Sequence, residues 1–332
     1  MGKRIITIGE VMMRLAACDH QRFLQTDRYD VHFGGAEANV AISLAQLGQE
    51  TVHITAFPNH DLGKAACNYL SRYGVDTSHI TYLNQGRLGL YFHETGSMQR
   101  SSRIIYDRFG SSFSLLQEHQ LSWDAIFEDA HWLHWTGITP ALSETAAHLC
   151  LTAIIKAKEK GITVSGDINY RRNLWQYGKQ PLDIMPELID KTDVIIAGLT
   201  DFENCMAIKE DNFEAACREA QTKFQGITTI ATTKRDSISA SEQKLSALLY
   251  HNTKVYPSKS YEMTGIIDRI GGGDAFMAGL IYGLLYKDHQ EALEFALAAS
   301  VLKHAVIGDA NLVTVEEIEA LVIGKNTGRL LR

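Results

Sequence analysis

The segment Asp268-Arg269-Ile270-Gly271-Gly272-Gly273-Asp274-Ala275-Phe276-Met277-Ala278-Gly279-Leu280 holds the most concentrated chemistry in the sequence. Phe276, Leu280 and Leu284 recur every four residues, as do Met277, Ile281 and Leu285, which predicts a helix with a broad apolar face. Three glycines precede it. Such a run lets the backbone turn tightly and directs unpaired N–H groups at one spot. Together with the positive end of the helix, these donors suit an anion such as a phosphate in transfer. Asp274 stands at the lip of that site, where a carboxylate can take the proton of an attacking hydroxyl. Aspartate is also a favoured helix N-cap, so a plain turn closed by a capping Asp274 is the competing reading.

A second segment, Phe33-Gly34-Gly35-Ala36-Glu37-Ala38-Asn39-Val40-Ala41, repeats the arrangement near the other end of the chain. Two glycines open a helix whose Val40, Leu44 and Leu47 face a core, and Gly48 closes it. Gly34 and Gly35 would let a hydroxyl-rich ligand reach the backbone, and Asn39 offers a donor and an acceptor. The alternative is a tight turn followed by a polar residue on the first helical turn.

The elements that must position these groups alternate. Residues 5–8, 52–56, 132–135, 163–165, 194–197 and 228–232 are short apolar or β-branched runs. Helical patterns lie between several of them, at 37–47, 143–160 and 212–224. Alternating β and α units predict a mostly parallel sheet covered on both faces, with ligands beyond the carboxyl ends of its strands. Residues 12–33 and 88–108 break the rhythm. In 90–94 and 103–106 successive side chains would face opposite ways, with Thr95-Gly96-Ser97 as a hairpin turn between them. These two stretches are expected to form a small separate sheet acting as a lid, or else an ordinary surface hairpin.

The chain has 332 residues, long for one simple domain, with 45% hydrophobic and 21% charged residues, enough to bury a real core. The net charge of -7 argues against nucleic-acid binding, which needs clustered Lys and Arg. Five scattered cysteines without a C-x-x-C pair read as reduced thiols of a cytoplasmic protein. No secretory leader is recognisable, and the longest apolar stretch, 275–286, is too short to cross a bilayer, so no membrane partner is expected.

Taken together, the two glycine-opened helices resemble the paired signatures of the ribokinase-like (PfkB-type) carbohydrate kinases. The segment with Gly34, Gly35 and Asn39 is similar to that family's G-G-x-x-x-N segment and the one from Asp268 to Asp274 to its D-x-x-G-x-G-D segment, at the expected opposite ends of a chain of suitable length. The resemblance implies a three-layer α/β/α sandwich with a mostly parallel sheet, forming a single domain over 1–332, with the β-sheet lid over the sugar. It implies Asp274 as base and the N–H groups of Gly271, Gly272 and Gly273 as anion hole. It also implies ATP and Mg2+ as cofactors, a homo-oligomer, and Asp268 as the aspartate that helps hold a monovalent cation such as K+. Phosphoryl transfer needs mainly positioning and charge stabilisation, which such sparse equipment can supply.

Within the family the chain looks most like the 2-keto-3-deoxygluconate kinases. Tyr106-Asp107-Arg108 resembles their Y-x-R element, Gly89-Leu90-Tyr91-Phe92 their upstream lid strand, and Asp167-Ile168-Asn169-Tyr170-Arg171 their D-x-N-x-R loop. Lys303-His304 and Gly308-Asp309-Ala310-Asn311 resemble their C-terminal K-H…G-D-x-N segment. A sugar acid carries a carboxylate, which suits an arginine with a tyrosine hydroxyl. The resemblance therefore puts Arg108 and Tyr106 at the carboxylate, Tyr91 nearby, Asp309 at a distal hydroxyl, and Arg171 at the substrate or the nucleotide phosphates. Asn169 is expected at the nucleotide. Fructokinase-like or ribokinase-like activity, and a non-catalytic sugar-binding regulator, are the alternatives.

Three departures from the family pattern stand out. Gly198-Leu199-Thr200-Asp201 replaces an N-x-x-E element linked to magnesium, leaving Asp201 as the acidic candidate. Thr232-Thr233-Lys234-Arg235-Asp236-Ser237 stands where a glycine-bearing nucleotide loop is usual, with Thr233, Lys234 and Arg235 as candidate phosphate donors. Arg269-Ile270 replaces a small polar pair beside the expected cation site. Other constellations fail. His131 and His134 are three apart, so a strand would turn them to opposite faces rather than toward one metal. Ile8-Gly9-Glu10 lacks the rest of a dinucleotide-binding fingerprint, and no G-x-x-x-x-G-K-[ST] loop exists. The acidic stretch 189–209 reads as strand, loop and helix.

Overall fold

The computed structural model describes residues 2–237 and 239–325. Residues 1, 238 and 326–332 of the expected single 1–332 unit lie outside the described residues. A ten-stranded sheet forms the centre. Seven strands run parallel to their neighbours, in the spatial order Val75–Asp76, Glu50–Ile54, Arg4–Ile8, Ala130–Thr136, Thr163–Asp167, Val194–Ile196 and Thr229–Ser237. Glu242–His251 then pairs antiparallel with the last of these, and Lys254–Pro257 and Tyr261–Thr264 pair antiparallel with it in turn.

The period-two alternation of the strands explains why helices cover both faces. Ile6, Ile8, Leu133, Trp135, Ile195 and Ile230 point one way, into a core shared with helices Glu144–Glu159, Pro181–Asp190, Leu199–Met206 and Phe213–Lys223. Ile5, Trp132, Val194 and Ala231 point the other way, toward Ala36–Gln46, Gly272–Tyr286 and His289–Lys303. Each fully buried Ile or Leu contributes about 1.5–3 kcal/mol, so these two layers set the stability of the scaffold. The helices start where side chains replace missing backbone partners. Ser143 accepts the Ala146 N–H at 3.1 Å, and Asp288 accepts that of Glu291 at 2.9 Å.

Residues 12–33 and 88–108 do build a small separate sheet, in the order Tyr29–Gly34, Met12–Ala17, Gly89–Glu94 and Arg103–Asp107. Its register lines up His32, Arg14, Tyr91 and Tyr106 across all four strands, so their side chains share one face. Val31 and Ile105, on the opposite face, are exposed. The hairpin turn lies further along than the spacing predicted. Ser97 and Arg100 exchange backbone hydrogen bonds at 3.0 and 2.9 Å, so the reversal falls at residues 98–99 rather than at Thr95-Gly96-Ser97. Arg100 draws the loop this way by donating to Glu94 at 2.6 Å.

A second correction concerns Thr232-Thr233-Lys234-Arg235-Asp236-Ser237. This is no loop. The strand continues to Ser237, because each residue finds an antiparallel partner in Glu242–His251. Without glycine, and with two β-branched threonines, the segment favours extension over a turn.

Candidate active site

A cavity of about 550 Å³ opens at the carboxyl ends of the parallel strands. Its floor comes from residues that end strands or begin helices. Glu10 follows Arg4–Ile8, Asp167 ends Thr163–Asp167, and Gly198 follows Val194–Ile196. Its roof is the inward face of the small sheet, contributing Met12, Tyr91, Ile104, Tyr106 and Arg108.

The helix predicted after the glycine run spans Gly272–Tyr286, with Gly271 as its N-cap at φ 81°. Asp274 is therefore not the cap. It lies in the first turn, beside the N–H groups that helix geometry leaves without partners. The glycines have different reasons to be glycine. A Cβ on Gly271 would sit 1.9 Å from the Asp309 carbonyl oxygen, and one on Gly272 would sit 2.7 Å from the His304 ring. A Cβ on Gly273 would meet nothing within 4 Å, because that position faces the open cavity. Asp274 accepts a hydrogen bond from Asn39 Nδ2 at 2.7 Å, joining the two glycine-opened helices. Burial pushes the Asp274 carboxyl up to about 7 against the opposing Asn39 bond, and the Asp309 and Glu37 carboxylates add to the rise. A carboxyl with that value changes its charge near neutral pH.

Gly34 and Gly35 leave room that side chains would fill. A Cβ on Gly34 would lie 2.2 Å from Asp309 Oδ2, and one on Gly35 would lie 1.9 Å from the Glu10 carbonyl oxygen. Asp309 is buried and accepts from Arg14 Nη1 at 3.0 Å and from the Tyr91 hydroxyl. Tyr91 packs against Tyr106 with ring centroids 5.9 Å apart. Arg108 is 4% exposed, gives Nε and Nη2 to Glu10 Oε2 at 2.8 and 2.5 Å, and lies over the Tyr106 ring at 5.8 Å. Its remaining nitrogen, Nη1, has no hydrogen-bond partner among the described residues.

The opposite end is acidic and basic by turns. Burial, reinforced by the Asp201 and Asp274 carboxylates, pushes Asp167 up to about 8. Asp201 accepts the Tyr170 N–H at 2.9 Å and the Gly198 N–H at 2.7 Å. Asn169 takes the left-handed conformation at φ 40° and turns the chain so that Arg171 lines the cavity. Thr233 and Arg235 line it too, whereas Lys234, alternating with them on the strand, does not.

Of the residues expected from sequence, the cavity gathers Asp274, Gly271, Gly272, Gly273, Gly34, Gly35, Asn39, Tyr91, Tyr106, Arg108, Arg171, Asp309, Asn169, Thr233, Arg235 and Asp201. Lys234 and Asp268 stand outside it; Asp268 is buried against Arg14 at 2.8 Å. Sequence reasoning passed over Glu10, Arg14, Asp167 and Glu37. Glu10 and Asp167 carried a signal, since each directly follows or ends a parallel strand where ligands bind. Arg14 was signalled by a charge between Met13 and Leu15 on an alternating strand. Glu37 is buried beneath the floor, accepting from Thr136 and Thr139 hydroxyls, each at 2.7 Å.

A family model described as pfkB family carbohydrate kinase matches residues 3–314. The chain is 39% identical to 2-dehydro-3-deoxygluconokinase of Thermotoga maritima, whose crystal structure superposes with a TM-score of 0.93 over 98% of this chain and 99% of that one. It is 31% identical to 2-dehydro-3-deoxygalactonokinase of Haloferax volcanii over 99% of both chains. It is 28% identical to 5-dehydro-2-deoxygluconokinase of Clostridium botulinum, over 96% of this chain and 92% of that one.

Proposed function

The chain belongs to the pfkB family of carbohydrate kinases, and on that footing we propose that it transfers the γ-phosphoryl group of ATP to the 6-hydroxyl of 2-keto-3-deoxygluconate. The observation that carries this reading is one cavity holding both a poised carboxyl at an open helix N-terminus and arginines suited to a carboxylate. Asp274 takes the hydroxyl proton as the oxygen attacks the γ-phosphorus, and ADP leaves. The N–H groups of Gly271, Gly272 and Gly273 meet the charge on the moving phosphoryl oxygens. Arg108 and Tyr106 receive the sugar acid's carboxylate, Tyr91 packs beside it, Asp309 takes a distal hydroxyl, and Gly34, Gly35 and Asn39 line its path. The small sheet acts as the lid over the sugar.

Arg171, Arg235, Thr233 and Asn169 face the nucleotide. Mg2+ fits the acidic end. Burial and the Asp201 carboxylate raise the cost of ionising Asp167, which a cation relieves. Among the described residues no group of three or more His, Cys, Asp or Glu could hold a metal unaided. Asp167, with Asp201 through water, would thus share the ion with the nucleotide phosphates, the usual manner for magnesium. Bound there, the ion would neutralise phosphate charge.

A second reading has support in the Haloferax relative, whose name specifies the galactonate epimer. A panel of 2-keto-3-deoxygluconate, 2-keto-3-deoxygalactonate, fructose and ribose, each with ATP, decides. The proposal expects the highest kcat/KM on the gluconate. Preference for the galactonate changes the epimer, and preference for fructose or ribose overturns the sugar-acid reading.

A further inference from the structure

The resemblance assigns Asp268 to a monovalent cation, and the residues around Asp268 do not fit one. Asp268 is 6% exposed. Its Oδ1 accepts the Ile270 N–H at 3.0 Å, and its Oδ2 accepts the Gly308 N–H at 3.1 Å while lying 2.8 Å from Arg14 Nη1. The same Nη1 reaches Asp309 Oδ1 at 3.0 Å, and Arg14 Nη2 meets His93 Nδ1 at 2.7 Å. Lys303 is fully buried close by, donates to the Val306 carbonyl oxygen at 3.0 Å, and feels both carboxylates. Two buried carboxylates thus face two buried cations. Both Asp268 oxygens are occupied, and a bound ion would add positive charge to a buried set whose two carboxylates already face two cations.

We propose that Arg14 is the resident cation of this site: the small sheet supplies a guanidinium that neutralises Asp268 and Asp309 together, positions the glycine-run loop and the sugar-facing carboxylate, and makes phosphoryl transfer independent of added monovalent cations. The planar fork of arginine suits this task, because one side chain can donate to two carboxylates in fixed directions. The register places it there. Arg14 stands beside Tyr91, and Tyr91 donates to the same Asp309. Burial works against the Arg14 charge, but the Asp309 and Asp268 carboxylates outweigh it and raise its pKa further. His93, its third partner, is held down to about 4 by burial and by Arg14, and so adds no competing charge. An arginine already fixed by folding also costs less to hold than a free ion that must be captured and dehydrated.

The inference rests on the proposed roles of Asp309 and the glycine run, not on which sugar is used. The assay therefore uses whichever sugar the panel shows to be turned over, so failure of the sugar-acid reading leaves this test intact. Wild-type turnover is compared in potassium, sodium and tetramethylammonium chloride at constant ionic strength, and is expected to agree within about twofold. Arg14→Ala is expected to lose about a hundredfold in kcat with a smaller change in KM, and added guanidinium or potassium should restore part of it. Arg14→Lys should keep measurable turnover with no potassium response, and serves if Arg14→Ala does not fold. Strong potassium activation of wild type or Arg14→Lys overturns the proposal, with an ion then seated in the cavity of about 60 Å³ beside Asp268 and His93. A folded Arg14→Ala protein that either keeps full activity or answers to neither additive overturns the positioning role.

Discussion

The two ends of the cavity hold their charges differently. Under the small sheet, Arg14 and Arg108 are buried and paired, one with Asp268 and Asp309, the other with Glu10. At the end that Asp167 and Asp201 line, Arg171 and Arg235 are exposed, and their side chains form no hydrogen bond or ion pair with other described residues. Buried pairs contribute little net stability, but they fix geometry, and breaking one is costly. Exposed single cations fix nothing by themselves and gain most when an anion arrives. On the proposed reading, one end is thus shaped before its sugar comes, as discrimination among similar sugars requires, and the other is left for a polyphosphate that brings its own charge.

The largest expected effect falls where the two ends meet. Asp274→Ala should lower turnover by about a hundredfold or more while leaving sugar affinity within a few-fold, read by steady-state kinetics and calorimetry. Near-normal turnover in the folded variant would remove Asp274 as the base. Gly273→Val sharpens the point. A Cβ there meets no protein atom within 4 Å and projects toward the proposed phosphate position, so turnover should collapse with little change in Tm. Gly271→Val should instead unfold the loop, given its left-handed backbone and the Asp309 carbonyl oxygen in its way.

The contrast between paired and unpaired arginines predicts the next effect. Arg108→Ala leaves Glu10 buried with both oxygens unsatisfied, since Oε1 already lacks a partner. It should therefore lower Tm clearly, as well as reduce the preference for a sugar acid over its neutral analogue by roughly ten- to a hundredfold. Arg108→Lys should recover only part of that preference. Arg171→Ala removes an exposed cation, so Tm should hold while kcat/KM falls. If the acid-to-neutral ratio survives Arg108→Ala but not Arg171→Ala, the carboxylate is held by Arg171.

Much of this was legible in the sequence, and for identifiable reasons. The helix at Gly272–Tyr286 and the cavity-facing glycines could be read because backbone requirements narrow the choice of residue. The small sheet could be read because alternation is local. What escaped were partners distant in sequence. Nothing near Arg14 announces Asp309, 295 residues away, nor does anything near Arg108 announce Glu10, 98 residues away. Those pairings depend on how loops and strands distant in sequence are brought together by the fold, which a single sequence does not print. The strand through Thr229–Ser237 escaped because the family pattern places a loop there, while this chain supplies an antiparallel partner.

The smallest expected effect tests whether the meeting point of the two ends is under electrostatic tension. Asp274 carries a folded-state pKa of about 7 against an ordinary value of 3.8. Between those values the folded protein holds a proton that the unfolded chain has released. Stability from this group is therefore fully present below about pH 4 and declines as pH rises through 7. At pH 8 the folded state carries a charge it disfavours. Asp274→Asn removes that charge and keeps an oxygen to accept from Asn39. It should melt a few degrees above wild type at pH 8, and the gap should close toward pH 4. Asp167, up at about 8, also titrates, but it is present in both proteins and largely cancels in the difference. Losing the Asp274 charge would ease ionisation of Asp167, which adds to the gain at high pH. Activity should run the other way: wild-type kcat/KM should rise with pH through about 7 as the base loses its proton, and Asp274→Asn should lack that limb. Melting curves recorded without nucleotide across this range decide the matter. A gap that is constant with pH, or wild type the more stable at pH 8, would mean that the Asp274 charge is already compensated in the free enzyme, with Arg171 the cation that reaches it.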